Sequence, residues 1–126
     1  MPNENLDFWP ADLGGGDPDA PVVLLRTQAS LLGQKVKSIL EARVSTDAFG
    51  GSGFRHTFEL VVPAISYSYR LFWIQHGVDP YPVTWTLESQ QGTLASKEEF
   101  TEWLRGTLGS DRTKRIIQTL LAQASG

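Results

Sequence analysis

The 126-residue sequence has no cysteine, which excludes disulfides, thiolate metal centres and cysteine nucleophiles and leaves stability to packing. It also lacks any run approaching the ~20 apolar residues of a membrane span. Its opening, MPNENLDFWPADLGGG, has neither the basic start nor the apolar stretch of a secretory leader. A cytoplasmic protein without membrane association is the expectation. A basic surplus is missing as well, since 14 Asp and Glu face 11 Lys and Arg for a net charge of -3. Binding that neutralises many phosphates is therefore not expected, and nucleic acid is an unlikely partner.

Catalytic signatures are equally scarce. Gly14-Gly15-Gly16 is not followed by GK[ST], and Gly50-Gly51-Ser52-Gly53 runs into strand-like sequence where a phosphate loop needs a helix. His56 and His76 are the only histidines, with no HxxxH or HExxH spacing. If their segments pair as a hairpin they come close, but a metal would need a third ligand, for which Glu59 and Asp47 are the candidates. No Ser, His and carboxylate pattern and no facing carboxylate pair announces hydrolysis. No cofactor and no catalytic residue is assigned.

What is present fits one globular domain. Apolar residues make up 40% of the chain and charged ones 20%, with four Trp, six Phe and three Tyr to fill a core. Charge is unevenly distributed, because Glu4, Asp7, Asp12, Asp17 and Asp19 make residues 1–20 wholly acidic. The remaining nine acids stand against eleven Lys and Arg, so the body is about +2. With Pro2, Pro10, Pro18 and three glycines, the first twenty residues read as a flexible acidic arm preceding a domain over residues 21–126. Phe8 and Trp9 are the anomaly in that arm, and a groove of the domain itself is their expected cover, with a partner surface as the alternative.

Beyond the arm, hydrophobic periodicity predicts an α+β fold. Pro21 suits a first helical turn, and Leu25, Ala29, Leu32, Val36 and Ile39 form a stripe of about five turns reaching Glu41. Gly33 within it either permits close approach of another element or is merely tolerated. Period two then takes over at Ala42, Val44 and Thr46. In the next strand Phe54, His56, Phe58, Leu60 and Val62 share one face. Pro63-Ala64-Ile65 makes a turn into Ser66–His76, and Tyr81, Val83, Trp85 and Leu87 give a fourth strand that pairs only after Pro82 or lies at an edge. Ser96 and Glu99 form a capping box for one helix, and Ser110 or Asp111 caps another. The expected architecture is a long N-terminal helix, a four-stranded antiparallel meander and two C-terminal helices packed on one face.

Strict alternation in the third strand sets Phe72 and Ile74 against Tyr67, Tyr69, Leu71 and Trp73, so both sheet faces carry large apolar groups. One face must then be covered by the arm, by a second copy of the chain or by another protein. This predicts a non-catalytic protein-interaction module, of the kind found among immunity, antitoxin or accessory proteins of bacterial systems, with Phe8, Trp9, Tyr67, Tyr69, Arg70 and Trp73 at the contact. Two alternatives stay open. One is a small enzyme or ligand-binding domain with a pocket near His56 and His76. The other is a single-stranded nucleic-acid binder that stacks bases on the aromatic strand beside Arg43 and Arg55.

Overall fold

The computed structural model describes residues 6–125; residues 1–5 of the expected arm, with Glu4 among them, and Gly126 lie outside the described residues. The chain runs α1 (Pro21–Lys35), β1 (Glu41–Phe49), β2 (Gly53–Val62), a 3-10 turn at Pro63–Ile65, β3 (Tyr67–His76), β4 (Val83–Leu87), β5 (Gln90–Leu94), α2 (Lys97–Leu108) and α3 (Asp111–Ser125). The strands form one antiparallel meander in the order β1-β2-β3-β4-β5. The fold is α+β with five strands, one more than the periodicity shows.

α1 begins at Pro21, where the missing N–H costs nothing. It stops at Lys35, short of the expected Glu41, because Lys37 and Ser38 take left-handed backbone (φ 54° and 60°) and turn the chain toward the sheet. The turn brings Leu40 into the core with no exposed surface, while Ile39, counted in the helical stripe, is exposed. Burying Leu40 at the foot of β1 outweighs continued helical periodicity. Among the described residues, no atom outside its own helix backbone lies within 4 Å of a Cβ built at Gly33, so no other element approaches it closely.

Gly50 and Gly51 close the β1–β2 hairpin at φ 65° and 83°, backbone that residues with a Cβ adopt at a cost. In β2 the expected alternation holds from His56 to Leu60, whereas Phe54, expected on the same face, is exposed at the hairpin end and Val61 is buried alongside Val62. In β3 it fails at one place. Phe58 pairs with Phe72, but Glu59 pairs with Arg70, so Leu71 is the extra residue of a β-bulge. Residues opposite one another share a face. Tyr69 and Tyr67 therefore lie on the side of their partners Leu60 and Val62, which is also the side of Phe72 and Ile74. Only Arg70 and Trp73 of the expected contact residues face the other way. The two-faced aromatic sheet is thus corrected to a sheet with both tyrosines on the inner face and Trp73 and Phe49 as rings of the open one.

β4 starts at Val83, directly after a cis Tyr81-Pro82 bond, and lies inside the sheet between β3 and β5. β5 escaped the pattern because Gln90-Gln91-Gly92-Thr93-Leu94 offers one apolar residue. The inner face packs against all three helices. Phe58 stacks on Phe72 (ring centroids 5.2 Å apart), Phe72 meets the edge of Trp103 (5.0 Å), and Trp103 stacks on Trp85 (5.3 Å). Leu25, Leu40, Val83, Phe100, Leu104 and Leu120 complete this core. Ser96 Oγ caps α2 by accepting from Glu99 N, while Glu99 Oε1 accepts from Ala95 N, one residue upstream of the partner a capping box uses. Ser110 Oγ caps α3 by accepting from Thr113 N, and the buried Thr113 hydroxyl donates to Thr107 O, tying α3 to the end of α2.

Candidate functional site

The expected contact residues divide among three places. Tyr69 is on the helix side, its hydroxyl accepting from Arg112 Nη2 at 2.9 Å, and the same nitrogen donates to Glu88 at 2.9 Å. Tyr67, beside the β2–β3 turn, is partly exposed. Trp73 lies on the open face between two guanidinium groups, with Arg70 4.3 Å and Arg55 5.1 Å from its ring centroid. Arg55 also covers Phe49 at 4.4 Å. Around them this face carries Glu41, Arg43, Asp47, Glu59 and Gln75, by register, so acids balance bases and the lone indole is already shielded.

Phe8 and Trp9 stand apart from all of these. The expectation that a groove of their own domain covers them is not met: Leu6, Phe8, Trp9 and Leu13 are 79%, 87%, 76% and 58% exposed. Four large apolar side chains on one short acidic segment exceed the scattered exposure normal for a monomer. The segment's root is held firmly. Tyr81 Oη donates to Asp19 O at 2.9 Å, and Lys97 Nζ donates to Asp19 Oδ1 at 2.7 Å. Burial pushes the Tyr81 hydroxyl pKa up to about 12, helped by the carboxylates of Asp19, Asp17 and Glu98. The bond to Asp19 raises the pKa of the Lys97 ammonium as well. The arm thus leaves the body from a fixed point beside the start of α2.

An apolar slot opens elsewhere on the helical side. Gln28, Leu31, Leu32 and Lys35 of α1 form one wall, Leu108, Thr113 and Ile117 the other, and Phe58, Leu60 and the bulged Leu71 the floor, enclosing about 180 Å³. A second groove lined by Leu24, Thr101, Leu104 and Arg105 shares Gln28 and Leu108 with it. Leu71 reaches this floor because of the bulge, which strand alternation alone does not reveal. Leucine repeats on α1 were the available signal for the wall.

His56 and His76 do come together, as the hairpin reading expected. Their Nε2 atoms are 2.8 Å apart, Thr46 Oγ1 is 2.9 Å from His56 Nδ1, and His76 Nδ1 is 2.7 Å from Gly77 O. A carbonyl only accepts, so His76 Nδ1 carries its proton, His76 Nε2 accepts from His56 Nε2, and His56 Nδ1 accepts from the Thr46 hydroxyl. The chain of donors is complete with both rings neutral. Burial lowers the pKa of His56, 3% exposed, to about 4, with His76 and Arg26 adding to the shift. Glu59 and Asp47, the candidate third ligands, lie on the opposite sheet face, and among the described residues no three metal-ligating groups converge. None of the cavities described above is lined by the pair. An imidazole that protonates only near pH 4 is a weak general base at neutral pH. The arrangement suits structural pairing of the buried His56 ring with the half-buried His76 ring better than proton transfer to a substrate.

Comparison of the chain with protein-family models, with curated proteins and with solved structures finds no match, so the functional reading rests on these surfaces alone.

Proposed function

We propose that the protein is a non-catalytic interaction module that engages a protein surface through its acidic aromatic arm. The observation that carries this reading is the exposure of Leu6, Phe8, Trp9 and Leu13 on a segment whose root is fixed at Asp19. Aromatic residues that are buried on contact dominate binding energy in protein interfaces, and adjacent acids favour a receptor with basic residues around an apolar pocket. The balanced open sheet face and the internally satisfied histidine pair favour this reading over base stacking and over catalysis.

The test compares proteins that co-purify with the full chain and with the Phe8→Ala/Trp9→Ala variant, which alters only exposed side chains. Loss of specific associates with the variant supports arm-mediated binding. An identical set of associates from both proteins overturns it.

A further inference from the structure

Resting on the arm-mediated reading, we infer that the arm's receptor is the α1–α3 slot of a second copy of this chain, so that two copies exchange arms reciprocally. Size comes first. The slot encloses about 180 Å³ between leucine, isoleucine and phenylalanine side chains. An apolar cavity of about 150 Å³ is enough to hold a benzene ring. The slot therefore takes one aromatic side chain of the arm, Phe8 or Trp9, with the other against Leu31, which is 42% exposed at the slot's edge.

Charge points the same way. Residues 1–20 carry five acids and no base. α1, which forms one wall, has Arg26 and Lys35 and no acid, and Lys35 itself lines the slot. α3, which with Leu108 of α2 forms the other, has Lys114 and Arg115 against Asp111, its Arg112 being already paired with Glu88. An acidic segment flanking an aromatic anchor therefore meets an apolar floor with the Lys35 ammonium at its wall and a basic excess on the two flanking helices, charges of opposite sign that help align a pocket and its ligand.

A second copy is favoured over an unrelated partner because the complementary surface is already part of the chain. It is favoured over the arm's own slot by the arm's course: the root is fixed by Tyr81 and Lys97, and the apolar side chains beyond it point into solvent. Exchange of identical elements needs no new surface, and in a two-fold dimer it forms the arm–slot contact twice.

The experiment is sedimentation of the full chain over a wide concentration range, compared with two variants and their mixture. The full chain is expected to show a reversible monomer–dimer equilibrium that weakens as salt is raised. Trp9→Ala, with an intact slot, and Leu31→Glu, with an intact arm, are each expected to raise the dimer dissociation constant about tenfold or more. Far-UV circular dichroism confirms that both remain folded, as substitutions at exposed positions should. Mixing the two variants regenerates one intact arm–slot pair and confines both lesions to the other, so a heterodimer tighter than either variant's own dimer is expected. Its absence, a full chain that stays monomeric at every concentration, or a dimer indifferent to both substitutions overturns the exchange. If the chain is monomeric yet Phe8→Ala/Trp9→Ala still loses co-purifying proteins, the exchange fails while arm-mediated binding stands. If neither test responds to the arm, both fail.

Discussion

The indole of Trp85 lies so close over Gly92 that a Cβ built there would sit 2.6 Å from Nε1 and 2.8 Å from two ring carbons. Trp85 and Gly92 are directly opposite on β4 and β5, and the indole continues into the stack with Trp103. A polar strand with a glycine at its centre is thereby fixed in register, because only that residue leaves room for the ring.

Gly92→Ala is therefore expected to displace Trp85 from Trp103 and to destabilise the protein by about 1–3 kcal/mol, the usual range for overpacking. Gly33→Ala is the control. Nothing lies within 4 Å of its Cβ and it sits inside α1, so a stabilisation of up to about 1 kcal/mol is expected. Chemical denaturation of both variants measures the difference, and near-UV circular dichroism reports the loss of tryptophan stacking in the first alone. Equal stabilities would disprove the close approach.

Adjacent residues Phe72 and Trp73 should respond oppositely to truncation. Phe72 is fully buried between Phe58 and Trp103, so Phe72→Ala is expected to cost about 3–5 kcal/mol. Trp73 is on the open face and held by two arginines, and Trp73→Ala should cost about 1–2 kcal/mol through lost cation–π contacts and partial burial. Denaturation midpoints give both values. A larger cost at Trp73 would mean that the open face is a core.

Much of this fold can be read from periodicity. β2 alternates from His56 to Leu60, the serine caps of α2 and α3 are where the hydroxyls stand, and the glycine turn between β1 and β2 is plain. The failures share a cause, which is that a local pattern has no knowledge of its neighbours. One inserted residue, Leu71, turns Tyr67 and Tyr69 to the inner face and thins the second aromatic surface that alternation implied to Trp73 and Phe49. Val36 and Ile39 continue a helical stripe that the left-handed Lys37 and Ser38 interrupt. β5 is held by Trp85 and by β4, with almost no apolar pattern of its own. Of the site, the arm's aromatics and the nearness of the two histidines were legible, whereas the slot depends on α1, α3 and a bulge meeting in space.

Stability is expected to fall in acid through His56. Its folded pKa of about 4 lies below the ordinary 6.5, so the unfolded chain binds the proton more readily. The stabilisation is fully present above pH 6.5 and is lost as pH falls from 6.5 toward 4, a change of about 3 kcal/mol if His56 acts alone. Urea denaturation at pH 7, 5.5 and 4.5 measures the slope. In His56→Leu the same interval should be flatter, since the titrating group is gone. An unchanged slope would assign the acid sensitivity to other groups.

The arm and its root make separable contributions to the folded monomer. Phe8 and Trp9 are mostly in solvent, so removing residues 1–16 from dilute protein should shift stability by no more than about 0.5 kcal/mol, as for ordinary surface changes. Tyr81→Phe keeps the ring against Phe100 but deletes the hydrogen bond to Asp19 O, and it should cost about 0.5–1.5 kcal/mol. Thermal melts at micromolar and at much higher concentration distinguish the two effects. The Tyr81→Phe loss is the same at both, because the bond is within one chain. The truncation should lower the melting temperature only in the concentrated sample, where arm exchange adds binding energy to the folded state by mass action. A truncated protein that melts early even when dilute would show that the arm serves its own domain.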